Sequence, residues 1–314
     1  GHIMKKSLFL GILSSLFFAF TFILNKQMNN SGGLCSWSAS LRYIFMLPIL
    51  FVILFPQGKY KKVLTDIVER PKQWFLWSFI GFGVFYALLC YASNFGESWL
   101  IAGTWQITII AGALLSPLFY KEVKTREGII KKRQEIPKKF LVFSSLILIG
   151  IFVMQFENAQ NISFLKAFFG VILVIIAAFA YPLGNRKMME VCGNRFSTIQ
   201  RVFGMTLCSM PLWITFSLAN LFTNKFPSSS QILQSFIVAI FSGVIATILF
   251  FKATDLVKND THKLAVIEST QSGEVLFSVL GGVLLFGDNP PSLMGYLGIF
   301  FIIVGMTLNS FQRK

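Results

Sequence analysis

An all-α polytopic membrane protein, with ten transmembrane helices arranged as two inverted five-helix repeats, is the fold class this sequence predicts. Three observations lead there. The chain is 54% hydrophobic and only 13% charged, with a mean hydropathy of +0.68, whereas soluble domains carry about 25% charged residues. Its apolar residues fall in segments long enough to cross a bilayer, which takes about 20 residues. The two halves also echo each other at offsets of 159 or 160 residues through their first three spans.

The elements follow in order. Gly1 to Met4 reads as a cloning remnant, with Met4 as the native start. The run after Lys5 and Lys6 is too long for a signal peptide and no small-residue cleavage site follows it, so it is expected to stay as the first span, Ser7–Leu24. Trp37–Phe55, Trp74–Phe95 and Trp99–Tyr120 come next, each opened by a tryptophan suited to anchor a helix at the interface. Phe140–Phe156 closes the first half. Leu165–Leu183 opens the second half and holds Pro182, which is expected to kink it. Thr198–Leu218, Leu233–Phe251, Leu264–Phe286 and Leu293–Leu308 complete the ten. Lipid offers no partner for free backbone groups, so spans must be helices or a closed barrel. Barrel strands alternate apolar and polar residues, and these segments do not. The result is one transmembrane domain with repeats over 5–156 and 164–314.

Orientation follows from the basic residues. With the N-terminus cytoplasmic, 23 of the 28 Lys and Arg residues fall on the cytoplasmic side. They include Lys5 and Lys6, the group from Lys59 to Lys72, the group from Lys121 to Lys139, Arg186, Lys187 and Arg195, the group from Lys252 to Lys263, and Arg313 with Lys314. Lys26, Lys166 and Lys225 fall outside. This bias sets both termini in the cytoplasm. It also explains the net charge of +15 without nucleic acid as a partner. The basic loops serve as orientation signals and contacts for anionic lipid, with a soluble partner for Lys121–Lys139 as the lesser reading. Cys35, Cys90, Cys192 and Cys208 share no motif spacing, so neither a disulfide framework nor a metal site is expected. Only His2 and His262 are present and there is no P-loop. No enzyme signature, no cofactor, no metal and no ATP-driven step is expected.

The repeat is carried by short matches in the same order. Gly11 opens one apolar run and Gly170 the other. Asn25-Lys26-Gln27-Met28 is echoed by Asn185-Arg186-Lys187-Met188. Ser38, Arg42 and Met46 share a spacing with Ser197, Arg201 and Met205. Phe82-Gly83-Val84 has a looser partner in Ser242-Gly243-Val244. Gly103-Thr104-Trp105-Gln106 answers Glu268-Ser269-Thr270-Gln271 at an offset of 165, and Gly150 answers Gly305 at 155. An odd number of spans per half makes the second half enter from the opposite side. Inverted repeats recur in secondary transporters, with the site near the midplane where the repeats meet.

These features resemble the drug/metabolite transporter superfamily over the whole chain. The residues that carry the resemblance are the basic residues closing the first span of each half, Arg42 and Arg201 near the starts of the second and seventh, and the acids Glu122 and Asp288 after the fourth and ninth. AGTWQ at Ala102–Gln106 and ESTQSGEVLF at Glu268–Phe277 make the ten-span multidrug resistance efflux transporters the most similar branch. The resemblance implies export of a small molecule, with the proton gradient as a candidate driving force. The chain departs from the pattern in two places. The first span has no carboxylate before Lys26, and Val275 rather than proline follows Glu274.

The ninth span carries the candidate chemistry. An acid near the bilayer centre costs about 2.5–3.5 kcal/mol on insertion scales, so it marks a functional site by default. At about 1.5 Å per residue from His262, Glu268 is roughly 9 Å deep and Glu274 roughly 18 Å, near the midplane. Glu268, Gln271, Glu274 and Ser278 form a slanting polar stripe. Glu274 is the candidate proton or cation site. The competing reading is a carboxyl that only holds helices together, above all for Glu268, which Lys263 or Lys252 would pair. Trp105 and Gln106 in the fourth span are expected to bind substrate by stacking and hydrogen bonding, against ordinary interhelical contact. Tyr86, Tyr91, Tyr181 and Trp213 are candidates to line the same cavity. Arg42, Arg201 and Lys252 are expected to snorkel, with gating or pairing to a substrate carboxylate as the alternative role of the arginines. Lys26 and Arg186 read the same way. The favoured function is a secondary transporter exporting a lipophilic cation or drug, with a metabolite such as an amino acid as the alternative. A non-transporting membrane enzyme or scaffold is the reading from another class. The expected partners are the substrate, protons and membrane lipids, with a monomer sufficient.

Overall fold

The computed structural model describes residues 1–310, without the side chains of Thr261, Ala265 and Ser310. Arg313 and Lys314, counted above among the one-sided basic residues, lie outside the described residues. Among those residues, eight helices are long and apolar enough to cross a membrane. They are α1 (His2–Asn30), α2 (Cys35–Leu54, carried to Gln57 by a 3-10 turn), α4 (Pro71–Phe95), α6 (Lys138–Ile162), α7 (Phe164–Cys192), α8 (Thr198–Phe222), α9 (Ser229–Asp255) and α10 (His262–Phe286). Two shorter apolar helical segments, α5 (Ser98–Leu114) and α11 (Leu293–Ser310), join them, as does the amphipathic α3 (Tyr60–Glu69). The chain is thus a helical polytopic membrane protein.

The fourth span differs from its expected form. Its helix stops at Leu114, and Pro117 sits in a 3-10 turn over Ser116–Leu118. The basic loop that follows is a β-hairpin, with β1 (Tyr120–Thr125) antiparallel to β2 (Gly128–Arg133) and Thr125 opposite Gly128. Gly128 turns at φ +119°, a backbone region open to glycine. This exposed two-stranded element is the one departure from an all-α reading among the described residues.

Two kinds of local interruption recur in both halves. A π-helical segment covers Phe79–Val84 in α4 and another covers Ala239–Ala246 in α9. Breaks also fall in α5 at Gln106 and in α10 at Thr270–Ser272. π-bulges and 3-10 turns inside helices often mark functional hinges. By contrast, α7 runs unbroken through Pro182.

The packing pattern is nearly unchanged when the halves are exchanged. α1 packs on α9 and α10, while α7 packs on α4 and α5. α2 packs on α8, α5 on α10, and α6 on α11. The core is strongly aromatic: Tyr43 stacks on Trp213 at 4.8 Å between ring centroids, and Phe85 meets Tyr181 at 4.3 Å.

The tryptophans expected as interfacial anchors are buried instead. Each indole N–H donates to a loop or helix end. Trp37 donates to the Lys225 carbonyl at 3.0 Å, Trp74 to the Asp66 carboxylate at 2.8 Å and Trp99 to the Asn289 carbonyl at 2.9 Å. An indole N–H buried in protein needs an acceptor, and these acceptors tie successive connections to the bundle.

Asp66 is the most heavily used of these acceptors. It is buried on α3 and also accepts from Arg70 at 2.5 Å and from Arg195. It therefore fastens α3 to the connection between α7 and α8. Asp66→Ala is expected to lower stability by about 1–3 kcal/mol, the cost of leaving a buried donor without its partner. Thermal unfolding in detergent measures it, and an unchanged Tm would remove Asp66 as a fastening point.

The basic connections gather at one end of the bundle. Gln200 reaches the Lys59 carbonyl, Lys258 reaches Gly193 and Asn194, and Lys121 and Lys131 line a cleft with Asn194 and Lys258. Lys26, Glu97, Glu157 and Asn289 line a cleft at the other end.

Candidate functional site

The interruptions in α5 and α10 have local causes. At Gln106 the backbone N–H bonds to Gly103, three residues back, which frees the Ala102 carbonyl. The Gln106 side-chain amide then donates to that carbonyl at 2.9 Å. In α10 the run Ser269-Thr270-Gln271-Ser272 turns its hydroxyls onto its own backbone. Ser269, Thr270 and Ser272 each donate to the carbonyl three residues before. Such back-bonding competes with regular α-helix and accompanies the 3-10 turn here. Gln271 crosses to α1 and donates to the Gly11 carbonyl at 3.2 Å. A Cβ on Gly11 would overlap the Thr270 hydroxyl, so glycine is what lets the two helices meet here.

Glu274 follows the break directly and is fully buried. Among the described residues, neither of its carboxylate oxygens has a hydrogen-bond partner, nor does the buried Ser278 hydroxyl one turn on. The Gln106 side chain lies beside the carboxyl, with its amide donor spent on the Ala102 carbonyl. Gln106 Oε1 is likewise without a partner. Leaving a buried polar atom unsatisfied costs about 1–3 kcal/mol, and several such atoms are grouped around this one acid.

Glu268, Gln271, Trp105, Tyr181 and Pro182 line an internal cavity of about 10 Å³, together with Ser14, Phe18, Thr108 and Phe250. That volume is near the minimum for a single water. Glu268 is paired, but by neither lysine considered from sequence. Its partner is Arg186, and both side chains are about 3% exposed. Arg186 also donates to the Gly112 carbonyl at 2.5 Å and lies over the Phe119 ring at 5.8 Å. A Cβ on Gly112 would overlap the Glu268 carboxylate and crowd the Arg186 guanidinium. On its other side Arg186 lines the cleft of about 340 Å³ at the basic end. The ion pair thus separates that cleft from the internal cavity.

The expectation of snorkelling fails for three arginines. Arg186, Arg42 and Arg201 are all buried, because they meet partners inside the bundle rather than at its rim. Arg201 pairs with Asp255 at 2.7 Å and lies over Phe251 at 4.8 Å. Arg42 donates to Thr21 at 3.3 Å and sits over Tyr86 at 4.0 Å from its ring centroid. Lys252 is exposed. Tyr86 is fully buried and accepts from Asn25 at 3.1 Å, while Trp213 donates to Ser209. Tyr91 is not part of the cluster: it is 43% exposed and packs edge-on to Phe95 and Phe169.

Sequence reasoning missed Arg186 as the partner of Glu268, with Gly112 against the pair and Phe18 beside the cavity. Arg186 and Glu268 are 82 positions apart, and no spacing rule links them. The signal that existed was the paired position of Lys26 and Arg186, which marks equivalent helix ends but not what they face. At the opposite end, Asp288 accepts from Ser98 at 2.6 Å and from Gln27 at 3.1 Å.

Fold and site together define a polytopic helical membrane protein that seals acidic and amide side chains around a central aromatic cluster. The chain belongs to the family described as "EmrE: Putative multidrug resistance efflux transporter", whose sequence profile matches residues 5–314. It is 50% identical to the "Uncharacterized protein YjlA" of Bacillus subtilis (strain 168) over 309 residues, covering 98% of this chain and 95% of that one. It is also 46% identical over 274 residues to an "Uncharacterized 42.1 kDa protein in intracellular alkaline protease 3'region" of Shouchella clausii, covering 87% of this chain and 71% of that one. A solved structure titled "Crystal structure of protein" superposes with a TM-score of 0.66 at 10% identity, covering 98% of this chain and 97% of that one. That likeness concerns the fold alone.

Proposed function

We propose that this protein is a secondary active transporter that exports small organic molecules with a cationic group by alternating access, coupled to proton movement. Membership of an efflux family supports the class. The observation that carries the mechanism is Glu274, a fully buried acid without a hydrogen-bond partner beside the breaks in α5 and α10. An ionised carboxylate in such surroundings is expensive unless it is paired. A proton and a cationic substrate are interchangeable ways of meeting that requirement, which is the basis of exchange.

Ten membrane helices in two inverted repeats form the frame of this reading, over 5–156 and 164–314, with both termini cytoplasmic. It is supported by the matched π-segments, the matched breaks and the packing that survives exchange of the halves. In this reading the basic end faces the cytoplasm. The Arg186–Glu268 pair is the barrier on that side and the Asp288 contacts are the barrier on the other. A monomer suffices because the repeats supply the two alternating faces.

Purified protein in proteoliposomes tests the proposal. A panel of lipophilic amines and quaternary cations is expected to elicit substrate-dependent proton flux, read with an internal pH-sensitive dye. Absence of flux and of counter-gradient uptake across the whole panel would remove the transport reading.

A further inference from the structure

Three parts of the chain wall the cleft of about 340 Å³ at the basic end. The β-hairpin supplies Lys121, Glu122 and Lys131. The end of α7 supplies Arg186 and Glu190, and the connection between α9 and α10 supplies Lys258. The volume falls in the range of about 300–1,000 Å³ usual for small-molecule sites. The walls are tied down. Gln134, at the foot of the hairpin, donates its backbone N–H to the Phe119 carbonyl at 2.8 Å and its side-chain amide to the Tyr120 carbonyl at 3.4 Å. Lys258 donates to the Gly193 carbonyl at 3.3 Å and to Asn194 at 3.0 Å.

Positive charge dominates this lining. Lys121, Lys131, Lys258 and Arg186 outnumber the two carboxylates, Glu122 and Glu190. Glu122 stands opposite Lys131 across the hairpin, and Glu190 is drawn toward Lys187 at 3.5 Å. Among the described residues, none of the three lysines forms an ion pair. A cleft lined by one sign of charge concentrates small molecules of the other sign.

Two buried side chains of the same lining have open hydrogen-bonding atoms. Gln134 is 5% exposed and Arg186 is 3% exposed. Among the described residues, Gln134 Oε1 accepts from no donor and Arg186 Nε donates to no acceptor. The other two guanidinium nitrogens are committed, one to the Gly112 carbonyl and one to Glu268. A buried open group of this kind calls for a partner. The cations suit a phosphate, whose several oxygens accept from more than one of them. Gln134 Oε1 is an acceptor and suits a ligand hydroxyl.

We propose that this cleft binds a small phosphate ester, with its phosphate on Arg186, Lys121, Lys131 and Lys258 and a ligand hydroxyl on Gln134. Arg186 then lies between two anions, the ligand on the cleft side and Glu268 on the cavity side. The bound phosphate competes with Glu268 for the guanidinium and loosens the pair that separates the cleft from the internal cavity. The ligand is a regulator and not the exported molecule. The site stands without the transport reading, and only its effect on the barrier rests on that reading.

Titration calorimetry of the purified protein in neutral detergent tests the site. The probes are glycerol 3-phosphate and methyl phosphate, which lacks the hydroxyls. Glycerol 3-phosphate is expected to bind about 3- to 10-fold better than methyl phosphate, the share of one hydrogen bond. Replacing both Lys131→Gln and Lys258→Gln is expected to weaken glycerol 3-phosphate by about 10-fold. Gln134→Leu removes an open acceptor, which spares folding, and is expected to bring the two esters to equal affinity. Unchanged affinity in the lysine double variant, or an unchanged ester ratio in Gln134→Leu, would overturn the site. Glu268→Gln releases Arg186 and is expected to tighten glycerol 3-phosphate by about 10-fold. Glu190→Gln removes a negative charge from the cleft without touching Arg186, and an equal gain there would overturn the competition. Nanodiscs of phosphatidylcholine with and without phosphatidic acid separate the sources of the phosphate. Block of glycerol 3-phosphate by phosphatidic acid assigns the site to a lipid headgroup, and undiminished binding assigns it to a soluble ester. Absence of binding from either source overturns the proposal. In proteoliposomes with substrate-driven proton flux, glycerol 3-phosphate on the basic face is expected to raise that flux. Binding with unchanged flux would overturn the effect on the barrier. Binding without any flux would remove the transport reading and leave the site.

Discussion

Glu274→Gln is expected to abolish proton-coupled transport while leaving the protein folded. The substitution keeps the shape of the side chain and removes only its capacity to exchange a proton for a cation. Gln106 and Ser278 both have buried atoms without partners, so the new amide has acceptors within the cluster. The measurement is substrate-driven proton flux in proteoliposomes, with thermal unfolding and size-exclusion behaviour as controls for folding. Flux should fall to the level of empty vesicles. Downhill movement of substrate without protons can persist, because the helix breaks and both mouths are untouched. Wild-type proton flux in a well-folded Glu274→Gln protein would sink the assignment. Glu268 would then be the remaining acid near the cavity.

Removing one partner of the Arg186–Glu268 pair is expected to destabilise the protein by about 3–5 kcal/mol, because the other charge stays buried without compensation. Both groups are about 3% exposed, so water does little to screen them. Arg186→Met and Glu268→Leu should each lower the apparent Tm in detergent. The double variant should recover most of the loss, since replacing a buried pair by apolar groups is often neutral or better. The double variant also separates structure from mechanism. If the pair is the barrier between the 340 Å³ cleft and the cavity, an apolar plug that cannot open by charge exchange should leave a stable protein with impaired transport. A double variant as unstable as the single ones would contradict this account of the pair. Normal transport by the double variant would remove its role as a barrier.

The helical, membrane-spanning character was legible in residue order because a bilayer imposes simple rules, and long apolar runs are a one-dimensional signal. The expected spans fall on helices, with ends that shift because helices such as α1 and α7 run well past the apolar stretch. The β-hairpin was not legible: Lys121 to Lys139 is dominated by charge, and its pairing follows from the turn at Gly128. The interruptions were half legible. GTWQ and ESTQ were visible as a matched pair, but the freed Ala102 carbonyl and the inward-turned hydroxyls of Ser269 to Ser272 are not.

The sequence by itself determined that this is a helical membrane protein with two acids in one late span, and that the deeper one, Glu274, is the less easily paired. Composition and depth suffice for that, since the cost of burying charge depends on how far along a span it lies. The tertiary structure decided which charges meet. It gave Glu268 to Arg186 and Asp255 to Arg201, and among the described residues it left Glu274 and Arg42 without a salt bridge. Pairing depends on which helix faces bring distant residues within hydrogen-bond reach. No periodicity along the chain encodes contacts such as the one between residues 186 and 268.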